Sequence, residues 1–593
     1  MILKSLANYY ERLLNDPSTD IALYGFEDKP IPFVIIITKE GQFVNIRDTR
    51  EIEDKKKISR IFRVPLGEKK SSGIKANLLW DNPQYVLGIP KSNNKKDTAQ
   101  AEKAFQAFIE HIKLLFKDSA DSGAQAILSF YKSKEILKIK KHELFSDIKE
   151  TNGNITFMLA DDDRLIAQRE KILKYISDDF ESGDLNKNVC AISGSSDYTT
   201  ILHTAIKGVW GAKSSGANIV SFNEPAFCSF NKYKKQGLNS PIGKHQAFAY
   251  TTALNYLLRK KSKQRVSIGD ASTIFWAKNS HPIEDDFSWI LGEPPKGEED
   301  IAYGKIKELL SAVKTGIMTP NDDIAFYVLG LAPNAARISV RFWYEGSVKD
   351  FKQKIVQYFE DIEIIKPAYE RDYLSLFQLL LSIAHESKAD KIPPNLSGQF
   401  TRSILGGLAF PRTVLISAIN RCKAEQSKEK QNVPYARAAI IKAFLMRNAR
   451  IKNQKEKEVG MALDKEMKNM GYLLGRLFAV LEKIQETAHG GKLNKTIRDT
   501  YFSAACSSPR IIFTRLSQLS VHHLAKINNS DKSSIWLDKL IGEIMDKIPS
   551  EGIPVILDIN DQGRFAIGYY HQRQDFFTKK DNAVSKMEEK NNE

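Results

Sequence analysis

Residues 326–344 read FYVLGLAPNAARISVRFWY. Tyr327 to Leu331 is a short apolar run closed by Ala332-Pro333-Asn334, the pattern of a buried strand that stops at a turn. Arg337 to Trp343 then alternates with a period of two. Ile338, Val340 and Phe342 fall on one face, and Arg337, Ser339, Arg341 and Trp343 on the other. The first face builds a sheet into a core. Two guanidiniums beside an indole suit phosphates and stacked bases, and they suit equally well the carboxylates of a neighbouring element.

Outward from this stretch, a chain of 593 residues exceeds one hydrophobic core, so about three or four domains are expected. A hydrophobic share of 42% excludes a disordered chain. The formal charge of +16 favours polyanionic partners, nucleic acid before an anionic membrane surface. The apolar run Ile31 to Thr38 is far shorter than the ~20 residues of a spanning helix. Lys4, Glu11 and Arg12 interrupt what would be a signal-peptide core, and Leu3, Leu6, Tyr10 and Leu13 instead mark an amphipathic helix. Cys190, Cys228, Cys422 and Cys506 are scattered without a CxxC pair, which argues against disulfides or zinc and for a reducing cytoplasm.

The pattern predicts an α+β fold. A mixed α/β region covers 1–420, a charged helix and linker 421–460, and an α-helical bundle 461–593. Ile31 to Ile37 and Phe43 to Ile46 flank Lys39-Glu40-Gly41-Gln42 as a hairpin. A basic loop follows, with Lys69, Lys70, Ser72 and Lys75 placed to hold phosphate near Gly73, and Asn77 able to read a base edge. Residues 97–147 read as helices and Ile155 to Leu159 as a strand. Asp161-Asp162-Asp163 fits a helix cap better than a metal site, since neighbouring side chains diverge and no companion ligands stand nearby. From Lys213 to Leu258, aromatics interleave with amides and with Lys244, a composition suited to single-stranded nucleic acid. Arg437, Lys442, Arg447 and Arg450 lie on or just past a helix, and Lys423–Lys430 and Asn453–Glu458 read as charged gaps. Gln562 to Phe577 has helical spacing, although Ile559 to Ile567 alone fits a hairpin; a polar, disordered tail follows Lys580.

No catalytic motif is present. Gly208 to Ser214 lacks the glycine before the lysine that a phosphate loop needs, and HExxH, GxSxG and a strand-to-helix GxGxxG are missing. No cofactor and no metal is expected. Dispersed carboxylates leave open a metal-dependent nuclease, and the charge leaves open a stand-alone RNA-binding scaffold.

The ordered blocks SSGIKANLLWDNPQYVLG (71–88), NIVSFNEPAFCSF (218–230), IGDASTIFWA (268–277), IPPNLSG (392–398), RAAIIKAFLMR (437–447) and DQGRFAIGYYHQRQ (561–574) accompany the opening stretch. Together the chain resembles the large subunit of the type I-C CRISPR effector (Cascade) complex. Two departures stand out: Ala76 precedes Asn77 where that family has proline, and Ser240 to Lys244 replaces its Ala-Pro-Val-Ser. The resemblance implies a non-catalytic cytoplasmic subunit in antiviral defence. Such a subunit sits beside the backbone and RNA-processing subunits and the CRISPR RNA. It recognises the protospacer-adjacent motif (PAM) in target double-stranded DNA, helps open it and guides the displaced non-target strand. It also docks the helicase–nuclease. On this reading Lys69, Lys70, Ser72, Lys75 and Asn77 read the motif, and Arg337 and Arg341 hold backbone phosphates. Arg476, Lys483, Lys492, Lys495 and Arg498 track the displaced strand. The resemblance also implies a small subunit translated from inside the same gene; Met461 is the candidate start, with Met467 and Met470 as rivals.

Overall fold

The computed structural model describes every residue except 1, 54–55, 69–72, 118–120, 182–186, 223, 225–226, 228–236, 293–296, 317–320, 394, 426–431, 455–457, 491–492, 529–532 and 592–593, and it leaves undescribed the side chains of 179, 181, 528, 533–534 and 578–591 as well. The fold is α+β, with strands and helices preceding a helical C-terminal region. Residues 1–206 with 218–256 form one compact unit, and 207–217 with 257–593 a second. No described helix is long and apolar enough to cross a membrane.

The principal elements of the first unit are α1 (Ile2–Leu14), β1 (Phe33–Ile37), β2 (Phe43–Asp48), β3 (Trp80–Asp81), α2 (Lys95–Phe116), α3 (Ser122–Lys132), β4 (Ile155–Leu159) and α4 (Lys244–Leu257). The expected amphipathic helix is α1, which buries Leu6, Tyr10 and Leu13. The sheet runs β2-β1-β4-β3. The expected hairpin is the antiparallel β1–β2 pair, and β4 joins β1 in parallel. Both faces of β1 are covered, which explains its unbroken apolar run. Phe33, Ile35 and Ile37 pack with Phe108, Ile112 and Phe130 of the helices. Val34 packs on the other side with Trp80, Val64 and Met158.

The second unit is built on β5 (Arg265–Ile268), β6 (Ala271–Ala277), α5 (Glu299–Lys314), β7 (Ala325–Asn334) and β8 (Arg337–Ser347). These strands form an antiparallel sheet in the order β5-β6-β7-β8. The opening stretch of the sequence is therefore the β7–β8 hairpin. Its turn lies at Ala335-Ala336, two residues beyond the expected stop, because Pro333 and Asn334 still pair with Ile338 and Arg337. The expected alternation fails at one point. Gly330 pairs with Phe342 and Leu331 with Val340, so Arg341 is the extra residue of a bulge. Ile338 and Phe342 are buried while Val340 is 41% exposed. The bulge needs Gly330, since a Cβ there would stand 2.2 Å from the Phe342 ring.

Helices α6 (Val348–Ile362), α7 (Leu376–Ile383), α8 (Leu396–Gly406), α9 (Arg412–Ala424), α10 (Tyr435–Ile451), α11 (Met470–Ala488), α12 (Ile497–Ser507), α13 (Pro509–Asn528) and α14 (Ile559–Asn591) follow. Residues 559–567 are helical rather than a hairpin, and α14 continues past Lys580 to Asn591, where a tail was expected; its Lys- and Glu-rich end is of good helix formers. Phe351 of α6 packs with Phe287 and Phe326 beneath the sheet. Residues on both sides of 461 share one core, in which Gly563 of α14 faces Leu415, Ile441 and Leu445 of α9 and α10. Main chain meets main chain where α11 crosses α14. A Cβ on Gly471 would lie 2.2 Å from the Asp561 oxygen, and one on Gly475 2.0 Å from that of Phe565.

Helix α10 is buried on every side and carries three buried cations, Arg437, Lys442 and Arg447, five residues apart. Each one donates to carbonyls in the last turn of another helix, where backbone oxygens lack partners. Arg437 reaches Ser382 at the end of α7 (2.8 Å), Lys442 reaches Glu360 and Asp361 at the end of α6 (3.2 and 3.1 Å), and Arg447 reaches Ser403 at the end of α8 (2.7 Å). The charges are met by Glu425 at Arg437 and by buried Asp361 at Arg447.

Candidate nucleic-acid interface

The basic loop begins where the strand Ile61–Pro65 ends, and it returns at β3. Both of its ends are fastened. Leu66 N–H donates to the Gly25 carbonyl (2.7 Å), Gly67 N–H to Glu27 (2.8 Å), and the Trp80 indole to the Pro65 carbonyl (2.8 Å). Asn77 closes the loop: its Oδ1 accepts the Glu68 N–H at 2.9 Å, and its own N–H donates to Asp81 at 3.0 Å. The residue is 5% exposed, so its amide lies within the loop base and not at a surface where a base edge would meet it. Lys75 is exposed, 3.7 Å from Glu68. Lys69, Lys70 and Ser72 lie outside the described residues. The geometry is that of a loop held at both ends, with Lys75 outward.

On the second unit's sheet, Arg341 Nη2 lies 3.1 Å from Asp270 at the β5–β6 turn, and Asp270 also accepts from Ser397 at 3.2 Å. Pairing with a neighbouring carboxylate is thus the role this arginine has within the chain. Trp343 is stacked on Tyr327, ring centres 5.6 Å apart with planes at 16°, and Trp276 lies beside both. Arg337 is half-buried at the start of β8. In the first unit, Lys244 opens α4 with its ammonium 4.4 Å above the Phe180 ring.

The cations expected along the displaced strand divide three ways. Arg476 is 2% exposed and donates to Gln572 at 3.1 Å; burial works against its charge. Lys483 and Arg498 flank two carboxylates, Lys483 at 3.8 Å from the half-buried Glu486 and Arg498 at 3.9 Å from the buried Glu482. Glu482 also accepts from Tyr569 (2.7 Å), Thr496 (3.0 Å) and Arg573 (3.1 Å). Burial, then the Glu482 charge, raises the Glu486 carboxyl above its ordinary range. Lys495 is exposed, and Lys492 lies outside the described residues.

Sequence reasoning passed over another set. Lys132, Lys134, Lys140 and Lys141 are exposed around the end of α3 and the helical turn Ile136–Ile139, and none of them has an ion-pair partner among the described residues. Lys138, also exposed, pairs with Glu135 at 2.8 Å. The segment KSKEILKIKKH (132–142) shows the density of charge plainly, within a stretch whose sequence reads only as helical.

Two residues of the aspartate run are held by contacts, and the helical turn that follows, Ile166–Gln168, is capped at Leu165 rather than at an aspartate. Asp161 pairs with Lys39 at 2.5 Å, and Asp162 accepts from the Arg164 N–H and from Arg169. Among the described residues no group of three or more His, Cys, Asp or Glu could hold a metal ion. Cys190, Cys422 and Cys506 are buried free thiols, and Cys228 lies outside the described residues.

A search among curated proteins returns no match. A family model described as CRISPR-associated protein (Cas_Csd1) matches residues 6–577, nearly the whole length, and the chain belongs to that family.

Proposed function

We propose that this chain is the large, non-catalytic subunit of a type I-C effector complex. In that role it recognises a short motif flanking the target in duplex DNA, assists opening, guides the displaced strand and docks the helicase–nuclease. Family membership over residues 6–577 is the observation that carries the reading. The charge supports it: guide pairing reads sequence in such complexes, while the protein supplies short-motif contacts and backbone electrostatics. The fastened loop 66–79 suits motif contact, with Lys75 its described outward cation. Lys495 with Lys132, Lys134, Lys140 and Lys141 suits phosphate tracking, since none of these has an ion-pair partner among the described residues.

The test is DNA binding by the assembled guide-RNA complex, with and without this chain, on matched duplexes differing only in the flanking motif. Motif-dependent binding is expected to need the chain. Identical binding without it would move the protein's role to a later step, the recruitment of the nuclease.

A further inference from the structure

A cleft of about 640 Å³ opens in the second unit between the loop that follows α6 and the helices α10 and α14. Tyr369, Tyr435 and Tyr570 line it. Tyr369 is 79% exposed. Arg371 and Arg437 also line the cleft, and both are already paired, Arg371 with Glu299 at 3.6 Å and Arg437 with Glu425 at 3.0 Å. Lys366 places its ammonium on the Glu370 backbone oxygen at 2.8 Å but pairs its charge with Asp372 at 3.0 Å. The Glu370 carboxylate, half-buried in the same wall, has no ion-pair partner among the described residues.

This combination is selective. A half-buried carboxylate without a counterion still offers its charge to a cation that enters the cleft. Tyrosine rings present negative faces that attract cations, and the planar, weakly hydrated guanidinium stacks on them better than an ammonium does. Burial, and after it the Glu370 charge, raises the Tyr435 phenol above its ordinary value, so its ring meets a ligand as a neutral phenol. The volume exceeds a single side chain and falls in the range of sites that enclose a ligand. A phosphate backbone would be repelled by Glu370, so the cleft has a different partner from the basic surfaces. We propose that it receives an arginine side chain presented by a partner polypeptide, with the guanidinium on Glu370 and against the tyrosines.

The experiment titrates three probes into the full-length chain, followed by saturation-transfer NMR: acetyl-Gly-Arg-Gly-amide, the same peptide with citrulline, and free arginine. The arginine peptide is expected to bind saturably, at least tenfold tighter than the citrulline peptide and tighter than free arginine, whose own carboxylate meets Glu370. Glu370→Gln should lower affinity at least tenfold without moving the melting temperature. Tyr369→Ala, at an exposed position where folding is not at stake, should lower it severalfold. No saturable response up to tens of millimolar, equal binding of the citrulline peptide or free arginine, or undiminished binding by the Glu370→Gln chain would each overturn the proposal.

Discussion

Lys442 closes the end of α6 on Asp361: its ammonium lies 3.1 Å from the Asp361 backbone oxygen, while the carboxylate of the same residue takes Arg447 and Arg450. One residue thus ties two helices by main chain and side chain at once. Asp361→Ala leaves Arg447 buried without its counterion and should cost about 3–5 kcal/mol. Lys442→Met leaves carbonyls unsatisfied and should cost about 1–3 kcal/mol. Urea midpoints measure both, and the folded fraction of each variant should bind DNA as the wild type does, because Lys442 and Arg447 are buried.

The Arg341–Asp270 pair separates two roles by opposite outcomes. If Arg341 is held within the fold, Arg341→Gln leaves DNA affinity unchanged, whereas Asp270→Asn frees a guanidinium and raises it. A double-mutant cycle on stability should return about 0.2–1 kcal/mol, as both side chains are part-exposed. Weaker DNA binding by Arg341→Gln would instead place that residue on phosphate.

Asn77 is expected to act through the loop it closes. Asn77→Ala removes the acceptor of the Glu68 N–H, so protease sensitivity of the loop should rise and motif preference should fall with it. A relaxed preference with unchanged protease protection would mean that the amide reads a base directly.

The lysines of 132–141 predict a salt effect. Lys134→Glu, Lys140→Glu and Lys141→Glu together should weaken duplex binding at every sequence. They should also flatten the plot of log affinity against log salt by roughly 0.9 for each phosphate that is no longer neutralised. An unchanged slope would leave that turn as solvated surface.

His571 sets a pH dependence. Buried beside Tyr472 and near the Lys442 charge, its imidazole is pushed from 6.5 down to about 3, first by burial and then by that lysine. The unfolded chain therefore binds a proton between pH 6.5 and about 3 that the folded chain refuses. Stability is fully present above 6.5 and lost as pH falls towards 3, at up to about 1.4 kcal/mol per unit. His571→Phe should flatten that part of the curve in denaturation followed from pH 7 to 4.

Much of this fold is legible in the chain. The β1–β2 turn, the amphipathic stripe of α1 and the strand at Ile155 to Leu159 follow from local chemistry, which the structure leaves intact. The bulge at Arg341 was not legible, because it depends on the Phe342 ring crossing Gly330, a relationship with no trace in the periodicity of β8. The cations of α10 could be placed on a helix from the sequence but not assigned a role; their helix, AAIIKAFLM (438–446), is apolar all round, and that marks a buried helix whose cations must find carbonyls or carboxylates. Asn77 and Arg476 show the same limit. A polar side chain can be recognised from sequence, but whether the fold has already claimed it is decided by neighbours far away along the chain.

The seam at Gly471 and Gly475 has a bearing on how the C-terminal part could live apart. Both helices of the seam lie beyond Met461, so a polypeptide begun there would carry its own zipper and one register in which to close it. What it would lack is the wall that Leu415, Ile441 and Leu445 raise against Gly563. Such a fragment would be born with an adhesive stripe, sociable by necessity, and would stay single only while something of matching shape lay over it.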